Sequence, residues 1–172
     1  MAADSAKAGA LLFVAVVLQL SIMSQITILG GHPNLLLVTL VCVSLLRGAV
    51  FGAFAGFGAG FLADTGVFGT LGFTALLLTL AGYWTGRYGE TTGRDRSHAP
   101  FVSVAVVTLL YSLGALILHY MLGDPASASR VLLDAFPFEL IFNLILTLPV
   151  YALCRRLFRP PPTGLEEVRL LG

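Results

Sequence analysis

The stretch "RGAVFGAFAGFGAGFLADT", residues 47–65, decides how this chain folds. It packs five glycines into one apolar segment, with an arginine before it and an aspartate near its end. In water this would be a poor helix, because each interior glycine costs about 1 kcal/mol relative to alanine. Gly48, Gly52, Gly56 and Gly60 recur at every fourth residue, Asp64 continues the step, and Gly58 is the fifth glycine. Residues four apart lie nearly above one another on a helix, so these positions make a groove with almost no side chains, widened by Ala55, Ala59 and Ala63. In lipid no hydrophobic force drives two helices together; close backbone approach and dispersion must do so, and small-xxx-small faces permit that approach. The bilayer also forbids unpaired backbone groups, which keeps the segment helical in spite of its propensity. The segment therefore reads as a packing ridge. Its groove receives either another span of the same chain or a partner, whether a different protein or a second copy in a homodimer.

The rest of the sequence supports lipid as the solvent. The 172 residues are 57% hydrophobic and 11% charged, against roughly 25% charged in an ordinary soluble domain. Charges divide the chain into six apolar runs: about 8–29, 33–46, 48–63, 71–86, 101–122 and 136–154. The first begins too near the N-terminus to escape comparison with a signal peptide, but its apolar length exceeds a signal core and no small-x-small cleavage site follows. It reads as a retained span. The first and fifth runs are long enough to cross about 30 Å of hydrocarbon at 1.5 Å per residue, whereas the second and third are short. Two short spans are preferred over a pair of half-helices with Arg47 at a buried tip, since an unpaired guanidinium at depth costs about 2.5 kcal/mol or more.

Six spans place Lys7, Arg47, Arg87, Arg94, Arg96, Arg155, Arg156, Arg159 and Arg169 on one side and Arg130 alone on the other. By the positive-inside rule both termini are cytoplasmic, and Tyr83, Trp84, Tyr88 and Tyr151 fall near the same ends as interface anchors. Residues 1–157 form one membrane domain. The loop 87–100 and the tail 158–172 are polar or rich in Pro and Gly and too small to be domains.

Polar residues within the apolar runs are few. Asp64, near the C-terminal end of its helix, faces the negative end of the dipole and wants a partner. It is read either as an interface residue capping the turn "DTGVFGTLG" or as a functional carboxylate. Glu139 and Asn143 share one face of the last span; an acid within a span is a functional suspect, yet Pro137 just before it suggests a place in the first helical turn, where the dipole favours it. Gln19, Gln25, Ser21, Ser24 and Thr27 suit interhelical hydrogen bonds. His32 and His119 have no cysteine or second histidine at metal spacing, and Cys42 and Cys154 read as buried apolar side chains. No metal or cofactor is expected. No nucleophile–base signature, phosphate-cradling loop or basic patch with interleaved aromatics is present, which argues against an enzyme and against nucleic acid.

Residues 32–87, "HPNLLLVTLVCVSLLRGAVFGAFAGFGAGFLADTGVFGTLGFTALLLTLAGYWTGR", resemble the MreD family of bacterial rod-shape-determining membrane proteins. The shared pattern is Pro before a Leu-rich short span, a small-residue span ending Gly-x-x-x-Asp at Gly60 and Asp64, and a span ending Gly-Tyr-x-x-Gly at Gly82, Tyr83 and Gly86. The resemblance implies a non-enzymatic inner-membrane component of the cell-elongation complex. Its implied partners are MreC and, directly or indirectly, MreB, the glycosyltransferase RodA and its transpeptidase, in lateral peptidoglycan synthesis. It further implies an all-α fold of six transmembrane helices, similar to the S components of energy-coupling-factor transporters, and hence a competing reading as a small-solute-binding transporter subunit. On the first reading Gly48, Gly52, Gly56, Gly60, Asp64, Glu139 and Asn143 position partner helices, while Arg47, Arg87, Arg94 and Arg96 form a cytoplasmic interface toward anionic lipid or a cytoskeletal partner.

Overall fold

The computed structural model describes residues 2–21, 33–67, 72–92, 98–121 and 136–158. These residues form six helices, α1 Ala2–Ser21, α2 Leu35–Arg47, α3 Ala49–Val67, α4 Phe73–Thr92, α5 Ala99–Met121 and α6 Phe136–Leu157, and no strand. Ser24, Gln25, Thr27, His32, Arg94, Arg96, Arg130 and the tail from residue 159 lie outside the described residues, as does the side chain of His119.

The second helix is the core. Its sequence, "LLLVTLVCVSLLR", is apolar all round, and such a helix is stable only when every face is covered. Every residue from Leu36 to Leu45 is buried, and α2 packs against all five other helices. Its start is held by three side chains. Asn34 Oδ1 accepts from Leu37 N at 3.0 Å, Gln19 Oε1 of α1 accepts from Leu35 N at 2.8 Å, and Asn143 Oδ1 of α6 accepts from Asn34 N at 2.9 Å. Buried helix ends leave unpaired N–H groups, and these acceptors satisfy them. Gln19 closes the latch by donating from Nε2 to Pro33 O at 3.2 Å.

At its other end α2 passes into α3 through one residue. Gly48 has φ +97°, a conformation that side-chain-bearing residues avoid, and its N–H still donates to Ser44 O at 2.8 Å. Arg47, at this corner, is half-buried; its guanidinium lies over the rings of Phe51 (5.4 Å) and Phe158 (5.7 Å).

Two elements differ from the sequence expectation in length. The third helix runs on to Val67, so Asp64 sits inside its last turns and not at its end. The loop expected over 87–100 is helical as far as Thr92, because Gly86 and Gly89 continue to pack on the α2–α3 corner. Large apolar side chains face outward around the molecule, among them Val50 and Phe54 on α3, Trp84 on α4, Ile117 on α5 and Ile145 on α6. By length and composition Ala49–Gly66 and Phe136–Leu157 are long and apolar enough to cross a membrane. Among the described residues the apolar parts of α1, α2 and α5 are shorter: Ala6–Ser21, Leu35–Arg47 and Ala99–Gly114.

Candidate functional site

The glycine ladder of α3 lies against α4, and the two backbones meet almost directly. A methyl group built on Gly52 would collide with the carbonyl of Gly82, and one on Gly56 with the carbonyl of Leu78. On Gly60 it would stand 2.5 Å from Ala75 Cα. The relation is mutual, since a methyl on Gly82 would collide with Gly52 O and one on Gly86 would lie 2.5 Å from Ala49 Cα. The fourfold step of α3 (48, 52, 56, 60) thus faces a fourfold step of α4 (78, 82, 86) running the other way. No further helix fits between them. Gly58 is apart: a methyl there would meet nothing within 4 Å, and the residue opens on an apolar groove of about 340 Å³ between α1 and α3.

Each end of this seam is closed by a carboxylate. Asp64, 5% exposed, accepts from Gly72 N (2.9 Å), Thr74 N (3.3 Å) and Ala75 N (3.2 Å), which are the first amides of α4. At the opposite end Glu90, from the last turn of α4, accepts through Oε1 from Ala49 N at 2.9 Å, the first amide of α3. Each helix therefore places an acid from its C-terminal part at the positive N-terminal end of the other. Charge–dipole attraction and hydrogen bonding both favour this position. Asp64 finds in these amides the partner that its own helix end denies it. Gly72, at φ +92°, makes the turn that brings the amides round.

Asn143 and Glu139 occupy a second polar cluster. Asn143 is fully buried; besides accepting from Asn34 N, its Nδ2 donates to Thr108 Oγ1 at 3.1 Å, so one amide ties α6 to both α2 and α5. Thr147 Oγ1 donates to Asn143 O at 2.6 Å. Glu139 lies in the first turn of α6 and is half-buried, and Ser112 Oγ of α5 donates to its Oε2 at 3.3 Å. The two acids expected to act together do not meet directly: Asp64 belongs to the α3/α4 seam and Glu139 to the α5/α6 contact.

Of the arginines expected on the cytoplasmic rim, Arg87 is exposed and pairs with Glu90 at 3.6 Å. Arg47 sits over its two phenyl rings, and Arg94 and Arg96 lie outside the described residues. Sequence reasoning missed Glu90, Asn34 and Thr108. The signal for Glu90 was in the sequence, because 82, 86 and 90 repeat the Gly-to-acid step that ends at Asp64. Asn34 and Thr108 meet Asn143 only through tertiary contact, and spacing along the chain carries no trace of that.

Among the described residues no group of three or more His, Cys, Asp or Glu side chains could hold a metal ion. The arrangement is one of helix joining and helix capping. No curated protein and no solved structure matches the chain significantly. The family model for the rod shape-determining protein MreD matches residues 8–157. That range takes in all of the seam, the α2 latch and the Asn143 cluster, and this chain belongs to the MreD family.

Proposed function

We propose that this member of the rod-shape-determining system is a non-enzymatic inner-membrane scaffold that spans the bilayer six times with both termini in the cytoplasm. In this role it binds MreC and, through it or beside it, RodA, its transpeptidase and MreB, in support of lateral peptidoglycan synthesis. Family membership carries the first part: the chain takes part in determining rod shape. The observation that carries the scaffold reading is the α3/α4 seam, which binds two helices into one slab through backbone contact and spends no large side chain on doing so. The bulky residues of α3 are thereby left on the outside, where Phe54, Phe57 and Phe61 are each about half exposed or more. Partner contact then falls on these outward faces, because the glycines are already used within the chain. The excess of Lys and Arg on one side supports the orientation.

The test is affinity purification of the full-length chain from mild detergent, with identification of what co-elutes. Recovery of MreC with the wild type, and its loss when Phe54 and Phe57 are both replaced by alanine in a protein that still elutes as folded, is the expected result. Wild-type protein recovered without MreC, under conditions that retain other membrane complexes, overturns the reading.

A further inference from the structure

The fourth helix has a second face, turned toward α5, and there the packing is open. An apolar cleft runs between them in two lobes of about 230 Å³ and 190 Å³ that share Ala81, Trp84, Val107 and Leu110. The first lobe is hydrocarbon-lined apart from Tyr111 at its edge. The second carries the polar groups, Thr85, Tyr88 and Ser103. Thr85 Oγ1 is committed to Ala81 O at 2.6 Å. Ser103 is 7% exposed, lines the cleft, and its Oγ is one of two buried side-chain polar atoms among the described residues with no hydrogen-bond partner. A buried hydroxyl left unpaired is costly, so an acceptor brought to it from the cleft is favoured. Ser103 lies in the second turn of α5, at the positive end of that helix's dipole, and Arg87 stands in the α4 turn that bears Tyr88.

The cleft therefore has an apolar barrel, one hydroxyl waiting near its mouth, and positive charge beyond. A helix does not fit: one turn about 10 Å across fills roughly 420 Å³, more than either lobe. A hydrocarbon chain does, since an apolar cavity of about 150 Å³ already admits benzene. We propose that the α4/α5 cleft binds one acyl chain of a diacyl phospholipid, with the ester carbonyl accepting from Ser103 Oγ and the anionic headgroup beside Arg87 and the N-terminal end of α5. This rests on α4 and α5 standing in a bilayer.

Trp84 is the chain's single tryptophan and lines both lobes, so it reports occupancy directly. Phosphatidylglycerol with brominated acyl chains is titrated into the full-length protein in mild detergent. Saturable quenching of Trp84 at about one lipid per chain is expected. Val106→Phe, which fills the second lobe from a half-exposed position, removes the saturable component while far-ultraviolet circular dichroism and elution stay as in the wild type. Ser103→Ala weakens binding about two- to tenfold, the range of one hydrogen bond, and an ether-linked lipid shows the same loss on the wild type. Quenching that rises without saturating and is indifferent to Val106→Phe overturns the site, and an ether lipid that binds as tightly as the ester overturns the Ser103 contact. Alkaline extraction of membranes without detergent reads bilayer insertion separately: a released chain sinks the membrane placement, whereas a retained chain with unsaturable quenching sinks the lipid site alone.

Discussion

The two faces of α4 make opposite uses of the same helix. Toward α3 it offers Ala75, Gly82, Gly86 and Gly89, and the two backbones touch; toward α5 it offers Leu77, Leu80 and Trp84, and a cleft remains. Both faces are apolar, so hydrophobicity does not separate them. What separates them is whether small residues recur at the same step on both partners. On the α3 side they do, and the dispersion contacts of two whole backbones become available. On the α5 side Val106, Val107 and Leu110 hold the helices apart. One-sided smallness also fails, as Gly58 shows: it lies on the same helix as Gly56 yet faces open space.

The largest expected effect comes from breaking the tight face. Gly56→Leu drives a side chain into the Leu78 backbone, which cannot retreat as a flexible side chain would, and is expected to cost about 3 kcal/mol in thermal unfolding in detergent. A wild-type melting temperature in this variant would mean that the seam is not tight. Next is Asn143→Leu, which strands the Asn34 N–H and the Thr108 hydroxyl in the core; a loss of about 2 kcal/mol by the same melt is expected. Asp64→Ala leaves three amides at the start of α4 without their acceptor and is expected to cost about 1 kcal/mol, with Asp64→Asn closer to wild type because an acceptor remains. Faster hydrogen exchange confined to the amides of residues 72–75 would localise that effect, and an unchanged exchange rate there would remove Asp64 from its capping role. The smallest effect sharpens the comparison by reversing its sign. Gly58→Ala meets no atom and is expected to raise stability by up to about 1 kcal/mol, whereas Gly56→Ala on the same helix lowers it.

Much of this was legible in advance. The fourfold glycine step announced a backbone-to-backbone contact, and the uniformly apolar "LLLVTLVCVSLLR" announced a helix covered on all sides. Pro137 pointed to Glu139 in the first turn of α6, where it stands. The partner of the ladder was within reach too, because Gly82, Gly86 and Glu90 repeat its spacing. Asp64 was harder: its position suggested conflict with the dipole of its own helix, and only the return of the chain at Gly72 shows that a different dipole receives it. The Asn34–Asn143–Thr108 cluster joins residues more than a hundred positions apart, and no local period encodes such a meeting. The open face of α4 was equally hidden, since whether two apolar helices interdigitate or leave a gap depends on shapes that composition does not record.

The enclosure of α2 has a consequence for how this chain tolerates its bilayer. Thirteen residues reach only about 20 Å, well short of a hydrocarbon layer about 30 Å thick. A helix bathed in lipid would have to thin the membrane around itself or tilt its neighbours to relieve that shortfall. Walled off by five companions, α2 presents its length to protein alone, and the task of matching membrane thickness passes to the outer ring.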